Sequence, residues 1–163
     1  MPNLRLTLIV SVVLLISTSA AAVNATVDPL RFFVGRTEGS GRVNVIFHKG
    51  YGTHSIGIGR IESDGSLLLV QQIFDDGKPP YQRRWRVRQA GPGHYIGAMS
   101  EAVGPVTIDK VGERYRFRFG MDGHLRVEQW LTPLAGGRLA RSSASIRKFG
   151  MTVATTEGSL RRV

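Results

Sequence analysis

Alternation of apolar and polar side chains is the clearest pattern along the chain. Residues 81–88 (YQRRWRVR) alternate large apolar residues with arginine except at Arg83, and residues 113–119 (ERYRFRF) alternate without exception. Successive side chains of a β-strand point to opposite faces, so each segment has an aromatic face and a cationic face. This pattern is typical of an antiparallel sheet with one packed face and one face in water.

Turn signals containing glycine separate the alternating segments at regular spacing. Asp-Gly pairs beginning at Asp64, Asp76 and Asp122 are strong hairpin signals. Sequential hairpins without a long crossover favour an all-β, antiparallel up-and-down β-barrel, which also removes exposed sheet edges. A mobile loop at the barrel mouth is the alternative for the glycine-rich segment 50–60. The sequence predicts about ten strands, at residues 42–49, 53–61, 66–74, 81–89, 94–99, 105–110, 113–121, 124–132, 138–148 and 151–161.

A short helical turn is predicted before the first strand, in residues 28–33 (DPLRFF). Aspartate suits the N-cap of a helix and proline suits its first position, while Gly35 ends the turn. We expect the aromatic side chains of this turn to plug one end of the barrel.

The N-terminal residues 1–25 have the features of a secretory signal peptide. Arg5 precedes a mostly apolar run, and small residues follow it. Cleavage is expected after Ala22 or Ala25, and residues 26–163 are expected to form a single β-barrel domain. The alternative is an uncleaved membrane anchor, but the apolar run is shorter than the ~20 residues that span a bilayer. We therefore expect a periplasmic or secreted protein with no transmembrane span in the mature chain.

Composition narrows the classes of partner and of chemistry. The chain has 22 basic and 12 acidic residues, a formal charge of +10, and only Lys49, Lys78, Lys110 and Lys148 are lysine. Arginine binds carboxylate and phosphate through a planar fork, which favours anionic partners, although a simply solvated basic surface is the alternative. The absence of cysteine excludes disulfides, a lipid-modified N-terminal cysteine and a thiol nucleophile.

Catalytic chemistry has little support in the sequence. The four histidines form neither an HxH nor an HExxH pair, although His48 and His54 flank a predicted turn and could converge. Ser142, Ser143 and Ser145 lack the context of a nucleophile elbow. We therefore expect no catalytic residues, no metal, no cofactor and no enzyme activity. A hydrolase with its site at residues 50–59 is the weakest of the alternatives.

Several short motifs together resemble one protein family. They are residues 28–41 (DPLRFFVGRTEGSG), 83–86 (RRWR), 93–97 (GHYIG), 102–106 (AVGPV) and 148–154 (KFGMTVA). The chain resembles the DUF3833 family of bacterial envelope proteins over nearly all of its mature length. This resemblance implies no particular activity. Many members resemble lipoproteins, and this chain departs from them because it has no cysteine. The predicted barrel is also similar to calycins, the lipocalin-like ligand-binding barrels.

A candidate ligand site follows from the exception in the first alternating segment. If the aromatic face of residues 81–88 points inward, Arg83 points inward too, and a buried arginine is costly unless paired. Arg83 either pairs with Glu101 or Glu128, or anchors the carboxylate or phosphate of a small lipid-like anion. Trp130 joins the interior only if a bulge shifts its strand, and a plain apolar core is the alternative to a pocket. The predicted ligand-binding residues are Tyr81, Arg83, Trp85, Tyr115, Phe117 and Phe119.

The outward face supports a second function hypothesis. Export removes nucleic acid as the usual partner of such a surface, so anionic headgroups or acidic proteins are better candidates. On this hypothesis the protein is a cell-envelope interaction protein with a filled barrel, with peripheral contact to an anionic membrane. A cationic wall is predicted if the two strands lie on one side of the barrel, formed by Arg84, Arg86, Arg88, Arg114, Arg116 and Arg118.

Overall fold

Residues 28–163 are described by the structure, a computed structural model, and they form one closed antiparallel barrel. Each strand pairs with the next along the chain, and the first pairs with the tenth. The predicted all-β up-and-down barrel of about ten strands is confirmed; the predicted signal peptide lies outside the described residues. The elements are α1 Pro29–Phe32, β1 Gly35–Val45, β2 Tyr51–Ile61, β3 Leu67–Asp75, β4 Tyr81–Gly91, β5 His94–Met99, β6 Ala102–Val111, β7 Arg114–Met121, β8 Leu125–Pro133, β9 Leu139–Lys148 and β10 Met151–Arg162.

The first strand differs most from its prediction. β1 begins at Gly35 rather than at residue 42, because its small and polar residues pair through the backbone with β2 and β10 without an apolar alternation. The alternative of a mobile loop at residues 50–60 is wrong: residues 51–60 lie within β2, which is hydrogen-bonded along both edges, to β1 and β3.

Antiparallel connectivity gives the barrel two different ends. β1 starts next to α1, so α1 and the β2–β3, β4–β5, β6–β7 and β8–β9 loops lie at one end, which we call the closed end. The other end, which we call the open end, carries five hairpin loops. These are formed by residues 46–50, 76–80, 100–101, 122–124 and 149–150.

The helical turn α1 covers the closed end, as predicted. The Asp28 carboxylate accepts a hydrogen bond from the Leu30 backbone N–H at 2.9 Å and caps the turn. Phe32 is only 1 % exposed, and Leu30 and Phe33 are also buried in the core. A side chain at Gly59 would place its Cβ 1.9 Å from the backbone oxygen of Phe33, so only glycine lets α1 lie this close to β2. No helix among residues 28–163 is long and apolar enough to cross a membrane.

Candidate functional site

A cavity of about 430 Å³ occupies the barrel interior and extends from α1 toward the open end. It arises from an asymmetry in the inward-facing residues. On β3, β4 and β7 these residues are large, among them Leu69, Trp85 and Phe117. On the opposite wall, formed by β1, β2, β9 and β10, most inward-facing residues are small, so the large residues have few bulky partners across the interior. The small residues include Gly39, Ser55, Ser142, Ala144, Thr156 and Gly158.

Five of the six predicted site residues line this cavity. Tyr81, Arg83 and Trp85 point inward from β4, and Phe117 and Phe119 point inward from β7. The Trp85 ring meets the Phe117 and Phe119 rings edge-on, with centroids 6.3 and 5.8 Å away. These three aromatic rings form a rigid apolar wall of the cavity.

Tyr115, the sixth predicted residue, does not line the cavity. It lies at the closed end with its ring centroid 6.5 Å from that of Tyr95, and it is 3 % exposed. Burial raises the pKa of the Tyr115 hydroxyl to about 12. Burial and the nearby Asp28 carboxylate also raise the pKa of Tyr95. Alternation placed Tyr115 on the inner face correctly, but its height along the barrel axis puts it in the core.

Arg83 is paired inside the barrel mouth. Its Nε donates to the Glu101 carboxylate at 2.9 Å, and its Nη2 lies 3.5 Å from the Tyr81 hydroxyl oxygen. The Arg83 and Glu101 side chains are 24 % and 29 % exposed, so the pair is partly open to solvent. Of the two acids considered for this pairing, Glu101 is the partner. Glu128 accepts instead from the indole N–H of Trp130 at 3.1 Å.

Trp130 lies on the outer surface, because β8 has no bulge that would turn it inward. β8 pairs in continuous register with both β7 and β9. The Arg114 guanidinium lies 4.0 Å from the Trp130 ring centroid, a cation–π contact. Leu125, Val127 and Leu131 alternate inward around it. An unbroken strand therefore explains all four side chains.

Polar groups inside the cavity were not singled out from the sequence. The Trp85 indole N–H donates to Gln71 Oε1 at 2.8 Å, and Gln129 Nε2 donates to the Ser142 hydroxyl at 2.9 Å. At the open end Asp75 lines the cavity. The signal was present, because residues 67, 69, 71, 73 and 75 alternate with their neighbours and share one face of β3. These groups give the apolar cavity a few fixed hydrogen-bonding positions.

The outer arginines do not form one continuous wall. β5 and β6 separate the arginines of β4 from those of β7. Arg86 forms an ion pair with Asp64 at 2.9 Å, and hydrogen bonds from Ser66 and from Arg86 lower the pKa of the Asp64 carboxyl. Arg118 is likewise 2.9 Å from Asp109. The cationic surface is thus divided, and some of its charge is neutralised.

Histidine does not build a metal site in the part of the chain described. His54 stacks on Phe74 with a centroid distance of 4.5 Å. Within residues 28–163 no group of three or more His, Asp or Glu side chains is placed to hold a metal ion.

The chain belongs to the DUF3833 family, described as a protein of unknown function, whose family model matches residues 9–162. The predicted resemblance to the DUF3833 family is confirmed. No curated protein matches the chain.

Several solved structures share the fold at low sequence identity. The S-type phycobiliprotein lyase CPES from Guillardia theta has a TM-score of 0.66 and 9 % identity, covering 82 % of this chain and 90 % of its own. A DUF3598 family protein of unknown function from Nostoc punctiforme has a TM-score of 0.60 and 11 % identity, covering 84 % and 50 %. Rv2717c from M. tuberculosis has a TM-score of 0.60 and 13 % identity, covering 84 % and 99 %. These likenesses support the lipocalin-like fold.

Proposed function

We propose that this DUF3833 member is an exported binding protein that holds a small amphipathic, lipid-like anion inside its barrel. The observation that carries the proposal is the cavity of about 430 Å³, which has an apolar wall and a charged mouth. Small-molecule sites in proteins are typically cavities of about 300–1,000 Å³, mostly apolar with a few placed polar groups. The lipocalin-like fold is consistent with ligand binding.

The distribution of polarity suggests how such a ligand lies. The apolar part occupies the space beside Trp85, Phe117 and Phe119, where burial of hydrocarbon is favourable. The anionic head group lies at Arg83, whose guanidinium has five N–H donors and uses only part of them on Glu101. Glu101 neutralises Arg83 when no ligand is bound and competes with an incoming anion.

A matched pair of fluorescent probes tests recognition of the anionic group separately from filling of the apolar cavity. We expect 11-(dansylamino)undecanoic acid and its methyl ester both to bind, since both fill the apolar space. Arg83→Gln should weaken binding of the acid by roughly tenfold or more, the usual effect of losing a hydrogen bond to a charged group, and leave the ester unchanged. Glu101→Gln removes the competing carboxylate and should tighten binding of the acid alone.

Two further variants serve as controls. Arg84 is the exposed neighbour of Arg83 and points outward, so Arg84→Gln should change neither affinity. Ala144 lines the cavity, so Ala144→Phe should weaken both probes. Equal affinity of the acid for wild type and Arg83→Gln would show that the anchor is wrong. Failure of both probes, together with an empty protein in native mass spectrometry after purification from its own envelope, would remove the binding function itself.

The proposal also includes export and the absence of catalysis. Export is supported by the signal features of residues 1–25, and we expect the protein in the periplasmic or secreted fraction. Mass spectrometry of the protein from that fraction tests this, because cleavage after Ala22 or Ala25 gives two distinct masses. Recovery of the uncleaved chain with the membranes would contradict it. A turnover product of an extracted ligand, found after incubation with the protein, would contradict a pure binding role.

The outer-surface hypothesis has less support. It combined a filled barrel with a continuous cationic wall, whereas the barrel contains a cavity and the arginine rows are separated by two strands. Contact with an anionic membrane is better supported at the open end of the barrel.

A further inference from the structure

Two neighbouring hairpins at the open end carry the most exposed apolar side chains of the described residues. Phe47, Phe149 and Met151 are 95 %, 74 % and 68 % exposed, the three highest values among large hydrophobic residues between residues 28 and 163. Ile46 adds a fourth at 48 %. The hairpins are adjacent because β1 pairs with β10, and the Ile46 N–H donates to the Val153 carbonyl at 2.9 Å. We call these two hairpin tips, residues 46–49 and 147–151, the apolar rim.

The backbone holds the two phenylalanines in an unfavourable conformation. Phe47 has a φ of 60° and Phe149 a φ of 49°. Phe149 and Gly150, with a φ of 82°, form the two-residue loop between Lys148 and Met151. Positive φ at both loop positions is normally supplied by Asn, Asp or Gly, and an aromatic residue is disfavoured there. Local stability therefore does not explain the choice of residue, and strain of this kind often accompanies function.

The two hairpin tips of the apolar rim carry only basic charge, whereas the neighbouring hairpins at the open end carry Asp76 and Asp122. Lys49, Arg147 and Lys148 are exposed, and the Lys148 ammonium lies 5.8 Å from the Phe149 ring centroid. Segments 44–52 and 145–154 contain no aspartate or glutamate. Aromatic side chains beside lysine and arginine are the chemistry of interfacial membrane segments, in which rings enter the headgroup region and cations contact anionic lipid.

We propose that the apolar rim docks onto the surface of an anionic lipid bilayer. The Phe47, Phe149 and Met151 side chains enter the interface between headgroups and acyl chains, and Lys49, Arg147 and Lys148 contact anionic headgroups. The rim lies on the same end as the cavity mouth, so docking turns the mouth toward the lipid. This docking does not depend on which ligand the cavity holds.

A second copy of the chain fits the rim less well than lipid. A twofold contact would bring like-charged lysines and arginines of two rims together, which is unfavourable. The two exposed rings stand on different hairpin tips, and a bilayer accepts separate insertions. Self-association remains a defined outcome of the test.

Vesicle binding by the purified protein tests the proposal. We expect co-sedimentation with vesicles of phosphatidylcholine and phosphatidylglycerol, weaker binding to phosphatidylcholine alone, and weaker binding as salt is added. Lys49→Glu and Lys148→Glu should each weaken binding to the anionic vesicles by at least about fivefold, the effect of one cation near the surface. Arg84→Gln, on the side of the barrel, should not change it.

Replacing the strained phenylalanines separates loss of binding from loss of folding. Phe149→Asn places a favoured residue at positive φ, so it should leave the melting temperature equal or higher. The double variant with Phe47→Asn should weaken binding to anionic vesicles by at least tenfold. Ile58→Asn, which removes a side chain 55 % exposed on the barrel wall, is the matched control and should bind normally.

The outcomes are distinct. Loss of vesicle binding in the rim variants, with dansyl probe binding intact, supports docking separately from the ligand site. Vesicle binding equal in wild type and rim variants would overturn the proposal. A wild-type dimer in sedimentation velocity that the rim variants convert to monomer, without anionic vesicle binding, would replace it with self-association.

Discussion

Removal of one ring from α1 tests whether the closed end is held by packing. Phe32 is 1 % exposed and lies edge-on to Phe33, with ring centroids 5.2 Å apart. We expect Phe32→Ala to destabilise the whole barrel, because the ring is part of the same core as the strands. The turn itself is too short to form without that packing.

The magnitude follows from the burial. A phenylalanine side chain buries about 150–250 Å², worth roughly 4–6 kcal/mol at about 25 cal/mol per Å², and alanine retains part of it. The residual cavity adds to the loss, and measured Phe→Ala substitutions in cores cost about 3–5 kcal/mol. We therefore expect Phe32→Ala to lower the free energy of unfolding by about 3–5 kcal/mol and the melting temperature by roughly 10–20 °C.

The chain contains its own control for this experiment. Phe47→Ala makes the same chemical change at a side chain 95 % exposed, and should alter the free energy of unfolding by less than about 0.5 kcal/mol. Urea unfolding followed by circular dichroism measures both. If Phe32→Ala leaves too little folded protein, Phe32→Leu should still cost up to about 1.5 kcal/mol. Equal stability of Phe32→Ala and Phe47→Ala would refute the packing of α1 in the barrel.

Three other predictions concern pH and backbone approach. A hydrogen bond from His94 lowers the pKa of the Asp109 carboxyl. The ionised carboxylate therefore stabilises the fold at neutral pH, and this stabilisation disappears as the pH falls below about 4. Asp109→Asn should show a shallower loss of unfolding free energy in acid. The pKa of Tyr115 is raised to about 12, so stability should hold to about pH 10 and then fall toward 12, and Tyr115→Phe should lack this fall. Gly59→Ala should cost about 1–3 kcal/mol in thermal unfolding, while Gly91→Ala, whose added Cβ meets nothing within 4 Å, should not.

The sequence predicted the strands correctly wherever one face of a strand is apolar. β4 and β7 show this most plainly, because arginine alternates with aromatic residues along them. β1 does not show it, since residues 35–41 are small or polar and pair through their backbones alone. A strand that contributes no bulk to the core gives no alternating signal, so its start at Gly35 could not be predicted.

The sequence predicted which side chains point into the barrel, but not their positions along the barrel axis. Period-two alternation correctly placed Arg83 and Trp85 inside, and it correctly placed Tyr115 inside. Whether an inward residue meets the cavity or the closed-end core depends on the stagger between strands, which alternation within one strand does not contain. The choice of Glu101 as the partner of Arg83 depends on the same cross-strand geometry.

The cavity itself comes from a relation between opposite walls that no single segment records. Trp85 and Phe117 would fill a small barrel if they faced side chains of similar size, but they face Ala144, Thr156 and other small residues. Enlarging the small wall should then abolish the cavity without disturbing the aromatic wall, which is why Ala144→Phe is expected to block both dansyl probes. At the apolar rim the mismatch of side-chain size is reversed, with large residues where small ones are expected. There, aromatic residues occupy turn positions where small polar residues would be more stable. The double variant Phe47→Asn, Phe149→Asn should therefore keep or raise stability while it weakens lipid binding. A gain in stability coupled to a loss of binding would identify the rim as a surface selected for contact rather than for folding.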